Sequence, residues 1–283
     1  MEQNWKDGKI IGEVTAQQKT DLGFASWSDV GVLLLMTILA QYAGGVLMVG
    51  VSSVWGLPMS DPRMAALAYV VTMALAVFGV LIYRSRRGGE GRWAEFSTNG
   101  FDPMLGLHGL LTLVLIAIVT EPISAYLPKP TAPVEPCFWG FVTSVVCAPF
   151  MEEILCRGIV LRGIVHRHGI MAGWIGSSVF FGLIHYHPAT TIYAILAGLV
   201  LGHCALKTRS LLSSVLIHAA NNAICLWFLA MGWDDSQGLL AEGSSIGSWI
   251  GYAVAVLALI YELRNIARSI LRLSQEHKNR SDE

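Results

Sequence analysis

The feature that most limits how this chain can fold is a succession of apolar runs, several of near-bilayer length, separated by short polar joints. They cover residues 30–54, 64–83, 104–126, 137–165, 170–185, 189–206, 211–231 and 246–263. About 20 helical residues cross the roughly 30 Å hydrocarbon core of a bilayer. Inside lipid the backbone must satisfy its own N–H and C=O groups, so spanning segments are helices or closed barrels. Continuous rather than alternating hydrophobicity selects helices. The expected fold is all-α and polytopic, an integral membrane protein with about eight transmembrane helices. Charged residues make up only 14% of the 283, where a soluble domain carries about a quarter. A water-soluble fold with this much apolar sequence would expose large adhesive patches.

The spans set the domain plan: a polar cytosolic segment 1–29, a helical transmembrane domain 30–263, and a basic cytosolic tail 264–283. The stretch before the first span is too long and polar for a cleavable signal peptide. Trp27 marks an interface, and Ser28-Asp29 a helix start. With both termini cytosolic, the inside segments hold Lys6, Lys9 and Lys19, then Arg84, Arg86, Arg87 and Arg92, Arg162 and Arg167, Lys207 and Arg209, and the tail. The outside loops hold little beyond Arg63 and Lys129. The bias favours the cytosol at every alternation, as the positive-inside rule requires. Short loops and a compact chain suggest a bacterial inner membrane. A net charge of −1 leaves no nucleic-acid footprint. Cys137, Cys147, Cys156, Cys204 and Cys225 show no CxxC spacing and read as small apolar residues.

Against this background the stretch Ala148-Pro149-Phe150-Met151-Glu152-Glu153-Ile154-Leu155-Cys156-Arg157-Gly158 stands out. Ionisable groups at membrane depth are costly and mark function by default. On a helix Glu153 and Arg157, four apart, share a face, whereas Glu152 lies about 100° round. Arg157 is therefore expected to neutralise Glu153, leaving Glu152 to meet something else. His185 lies almost as far beyond the break at His168-Gly169 as Glu152 lies before it, so a helical hairpin brings the two to similar depth. His218 and Asn222, four apart on the seventh run, point the same way. Each group alone has a bland reading as an interhelical staple or hydrogen-bonded core residue. Together, on three helices in one half of the protein, they indicate an active site inside the helical core.

A carboxylate beside an imidazole can take a proton from water and later pass it to a leaving amine. A second histidine and an amide can donate to the oxyanion of a tetrahedral intermediate. No serine–base or cysteine–base spacing offers a nucleophile, so direct water attack on an amide or ester is the chemistry indicated. Glu152, His185 and His218 could alternatively ligate a divalent metal such as zinc, although the HExxH signature is absent.

In order and spacing, Glu152, Glu153 and Arg157, then Phe181 and His185, then His218 and Asn222 resemble the CPBP (Abi) intramembrane proteases, which include the type II CAAX prenyl endopeptidases. The resemblance covers roughly residues 138–227, within a protease core of about 137–231. It implies an endopeptidase that cleaves near the C-terminus of, or within, a membrane-associated peptide or protein, lipidated in some members. It further implies that Glu152 and His185 activate water, that His218 and Asn222 stabilise the oxyanion, and that Glu153, Arg157 and Phe181 support them. Members are described both as metalloproteases and as metal-free glutamate enzymes, and no cofactor is fixed by the motifs.

His108 and His203 read as span-end residues whose tips reach the interface, and His187 as a boundary residue. The basic tail is expected to lie as a helix against anionic membrane lipid. Two other functions use the same polar groups: a proton-coupled transporter, disfavoured by the lack of an internal repeat, and a non-catalytic immunity or scaffold protein on the same fold.

Overall fold

A computed structural model describes residues 24–89, 95–98, 100, 102–128, 134–232, 240 and 244–282. Lys6, Lys9, Lys19, Arg92, Lys129 and the acidic loop with Asp234, Asp235 and Glu242 lie outside the described residues.

Among the described residues the chain forms eight helices, α1 to α8. They are α1 (Trp27–Trp55), α2 (Pro62–Arg86), α3 (Pro103–Ser124), α4 (residues 138–168), α5 (Ile170–Leu183), α6 (Pro188–Thr208), α7 (Leu211–Ala230) and α8 (Ile246–Asp282). Six of them, all but α4 and α5, are long and apolar enough to cross a membrane without interruption. The expectation of an all-helical polytopic membrane protein is met.

Local chemistry starts these helices, and α1 begins earlier than the expected Ser28-Asp29 start, with Ser26 as its N-cap. Ser26 and Asp29 form a reciprocal capping box at α1. Asp61 caps α2 and Asp102 caps α3, each followed by a proline at the first helical position. Ser210 caps α7 through the Leu212 N–H, and also exchanges hydrogen bonds with the backbone of Ser97. That exchange pins segment 95–98 beneath the start of α7.

Helix α4 is the hub. Its path runs through Phe138–Phe141, the π-helical Val142–Cys147, Ala148–Glu153, the π-helical Ile154–Leu161 and Arg162–His168, and the backbone stays right-handed at each junction. All eight residues from Ile154 to Leu161 are buried. A helix covered on every side lies among other helices rather than at the lipid surface. The turn into α5 is made by Gly169 at φ 86, ψ 170, a conformation only glycine adopts readily. Helix α5, with 14 residues, is about 21 Å long, short of the bilayer core. Its end, with His185, is therefore left at membrane depth. Helices α5 and α6 approach closely because Gly198 faces Ser178, where a Cβ would come within 2.8 Å of the Ser178 Cα.

Several contacts gather the basic joints at one end of the bundle. Arg87 reaches Asp29 at 3.0 Å, Trp27 stacks on His168, and the Leu211 N–H donates to Glu95 O. Helix α8 runs antiparallel to α3, with Tyr252 donating to Val119 O and Glu262 beside His108. No boundary separates its apolar part from the basic segment: the 37-residue helix is about 55 Å long. Arg264, Arg268 and Arg272 are exposed, while Ile266 and Ile270 are buried. His203, read from sequence as an interfacial residue, is instead buried and lies 3.0 Å from the Ser269 hydroxyl. The extension of α8 covers it, which a local reading of α6 could not anticipate.

Candidate active site

The motif residues converge where α4, α5 and α7 meet. Glu152 and Glu153 lie in the α-helical section Ala148–Glu153, between the two π-helical sections. Such widened turns are frequent at functional sites, because they re-aim side chains within an otherwise continuous helix. Glu153 and Arg157 pair at 2.8 Å with both side chains fully buried, the partnership expected from their spacing. Arg157 also donates to Gly198 O at 3.1 Å, and its guanidinium lies over the Phe181 ring at 4.5 Å. A buried charge needs this kind of multiple partnering to be tolerated.

Glu152 is held differently. Its Oε1 accepts the Tyr69 hydroxyl at 2.7 Å. Its Oε2 faces the Nε2 atoms of His185 and His218, each at 3.9 Å. His185 Nδ1 is 2.7 Å from Phe181 O. A carbonyl can only accept, so Nδ1 carries the proton and Nε2 of the neutral ring is an acceptor. His218 Nδ1 lies 3.1 Å from Glu153 Oε1, and the same reasoning places its proton on Nδ1. Phe181 is edge-on to both imidazoles, at 4.8 and 5.7 Å between centroids, and so fixes their planes. Three acceptor atoms thus converge, and whatever sits between them must be a donor or a cation.

The separations discriminate between these. Ligands about 2.1 Å from a tetrahedral zinc ion lie about 3.4 Å apart, closer than the 3.9 Å found here. A water about 2.8 Å from each of two such atoms fits without movement. Among the described residues no group of three or more His, Cys, Asp or Glu is arranged to hold a metal. As they stand, Glu152 Oε2 lies farther from each imidazole nitrogen than zinc ligands lie from one another, and at a separation that one water can bridge.

Asn222 enters the same space on α7 but does not touch the two glutamates. It donates from Nδ2 to Ser144 O at 2.8 Å, while its Oδ1 accepts from Asn221 at 3.3 Å. Asn221 in turn accepts the Tyr193 hydroxyl at 2.9 Å. A cavity of about 400 Å³ joins these groups, lined by Glu152, His185, His218 and Asn222 at one side and by Leu113, Leu201 and Leu226 elsewhere. Its size lies within the range of small ligand sites. His187 stays at the boundary, where its backbone carbonyl accepts from Thr190 and Thr191 at the start of α6.

Sequence reasoning missed Tyr69, Asn221, Tyr193 and the carbonyls of Ser144 and Gly198. Tyr69 comes from α2, which carries no motif, and a single tyrosine in an apolar run has no signal of its own. Asn221 adjoins a motif residue, and Tyr193 is half-buried on a helix between two motif helices; only their contacts single them out.

Residues 134–224 match a family model described as type II CAAX prenyl endopeptidase Rce1-like. No curated protein matches the chain, and no solved structure does. The matched segment takes in α4 to α6 and most of α7, and with them Glu152, Glu153, Arg157, Phe181, His185, His218 and Asn222. Over that segment the chain is similar to the type II CAAX prenyl endopeptidases, which are grouped with the CPBP (Abi) family.

Proposed function

We propose that this protein is an intramembrane endopeptidase in which Glu152 and His185 activate a water for direct attack on a peptide bond. The observation that carries the reading is the convergence of Glu152 Oε2 with two imidazole acceptors, each at 3.9 Å, at the wall of a cavity within the helical core. The water donates to two of these acceptors and presents a lone pair to the scissile carbonyl carbon. Its proton passes to Glu152 or His185 as the C–O bond forms, and is later delivered to the leaving amine as the C–N bond breaks. The Asn222 amide donates to the oxyanion, and so does His218 Nε2 once that nitrogen has taken up a proton from water in the cavity. Glu153, itself held by Arg157, keeps His218 oriented through Nδ1, as a carboxylate orients an imidazole in hydrolytic triads.

The substrate in this proposal is a membrane-associated peptide or protein, lipidated or not, whose backbone enters the cavity in extended form. We place the protein in a bacterial inner membrane with both termini cytosolic. The clustering of Arg87, His168 and segment 95–98 at one end of the bundle supports that orientation.

The test is comparative: membrane and secreted peptides from cells with active protein are compared with those from cells carrying Glu152→Gln, followed by cleavage of the best peptide by purified protein. Glu152→Gln and His185→Ala are each expected to lower kcat by about 10²–10⁴-fold. Cleavage that survives both substitutions overturns the proposal.

A further inference from the structure

In the first π-helical section of α4, the Ala148 N–H donates to Thr143 O, five residues back. Continuing that register, the next pair is the N–H of residue 149 with Ser144 O. Residue 149 is proline and has no N–H to give. Left without a donor, a carbonyl inside a membrane protein carries a cost of up to several kcal/mol. Asn222 Nδ2 takes that place, donating to Ser144 O at 2.8 Å from another helix.

This bond also holds the Asn222 side chain. Its Oδ1 accepts from Asn221 and one of its two amide protons goes to Ser144 O. The amide plane is therefore set from both ends, and one N–H is left over. Asn222 and Ser144 both line the cavity that contains Glu152. We infer that Pro149 is a positioning residue: by leaving Ser144 O without a backbone donor, it supplies the acceptor that orients the Asn222 amide, so that its second N–H serves the oxyanion. The inference rests on the proteolytic reading for its functional consequence, but its structural half stands apart from that reading. Pro149 lies three residues before Glu152, so the same break also ties the depth of Glu152 on α4 to that of Asn222 on α7.

Pro149→Ala restores a backbone N–H that competes for Ser144 O, and Pro149→Ser does the same with a different side chain. The first readout is hydrogen exchange of the Asn222 side-chain amide in nitrogen-15-labelled protein, assigned by loss of its signals in Asn222→Asp. Exchange at least about tenfold faster in both proline variants is expected. Unchanged exchange in both overturns the inference whether or not the protein cleaves peptides. The second readout is kinetic. Each proline variant should lower kcat about tenfold with KM within about twofold of wild type, and add nothing further in an Asn222→Ala background. Wild-type kcat in both proline variants, or effects that multiply with Asn222→Ala, also overturn it. Absence of cleavage by the wild type refutes the proposed function instead, and leaves the exchange measurement to decide the proline–asparagine relationship.

Discussion

Tyr69 on α2 donates its hydroxyl to Oε1 of Glu152 on α4 at 2.7 Å, across 83 positions of sequence. One carboxylate oxygen is thereby occupied, and the other is left to face His185 and His218. The helix pair formed by α1 and α2, outside the matched family segment, thus reaches into the site through one hydroxyl. Removing it takes away a hydrogen bond to an ionisable group, of a kind worth about 1.5–3 kcal/mol. Tyr69→Phe is expected to lower kcat by about ten- to a hundredfold with little change in KM and no loss of fold. Steady-state kinetics beside a thermal melt check this. A fall confined to the melting temperature would make Tyr69 only structural.

The Glu153–Arg157 pair gives an asymmetric stability prediction. Both side chains are fully buried, so removing one partner strands the other's charge, at a cost of about 3–5 kcal/mol. Arg157→Met and Glu153→Gln should each lower stability strongly. The double variant should be less destabilised than the sum of the two singles, because no lone charge remains. Denaturation in detergent micelles, arranged as a double-mutant cycle, measures the coupling. Simple addition of the two effects would contradict it.

A metal test follows from the separations around Glu152. Since 3.9 Å suits a shared water better than shared zinc ligation, purified active protein is expected to hold no stoichiometric metal. It should keep its activity after dialysis against a chelator. Elemental analysis and a cleavage assay on the same sample decide the point. Stoichiometric zinc lost together with activity would reinstate the metal-ligand arrangement of Glu152, His185 and His218.

Close packing of α5 on α6 predicts a fourth kind of effect. A Cβ at residue 198 would lie 2.8 Å from the Cα of Ser178, and backbone cannot move aside cheaply. Gly198→Ala should therefore destabilise by about 1–3 kcal/mol. It should also reduce activity, because Gly198 O is a partner of Arg157. A melt at wild-type temperature would refute the tight crossing.

What could be read from sequence alone follows from what is local. Eight apolar runs predict eight helices because lipid leaves the backbone few alternatives. The four-residue spacing predicts the Glu153–Arg157 pair, because α-helical geometry sets that distance. The shared depth of Glu152 and His185 follows from counting residues on either side of Gly169. Tertiary structure alone decides the rest. Tyr69 reaches Glu152, and His203 is covered by α8, through contacts between helices distant in sequence. The carbonyl that Pro149 leaves open is met by Asn222 in the same way. A proline announces a missing donor in any sequence, but which side chain supplies the replacement depends on how α7 packs against α4, and no local spacing encodes that.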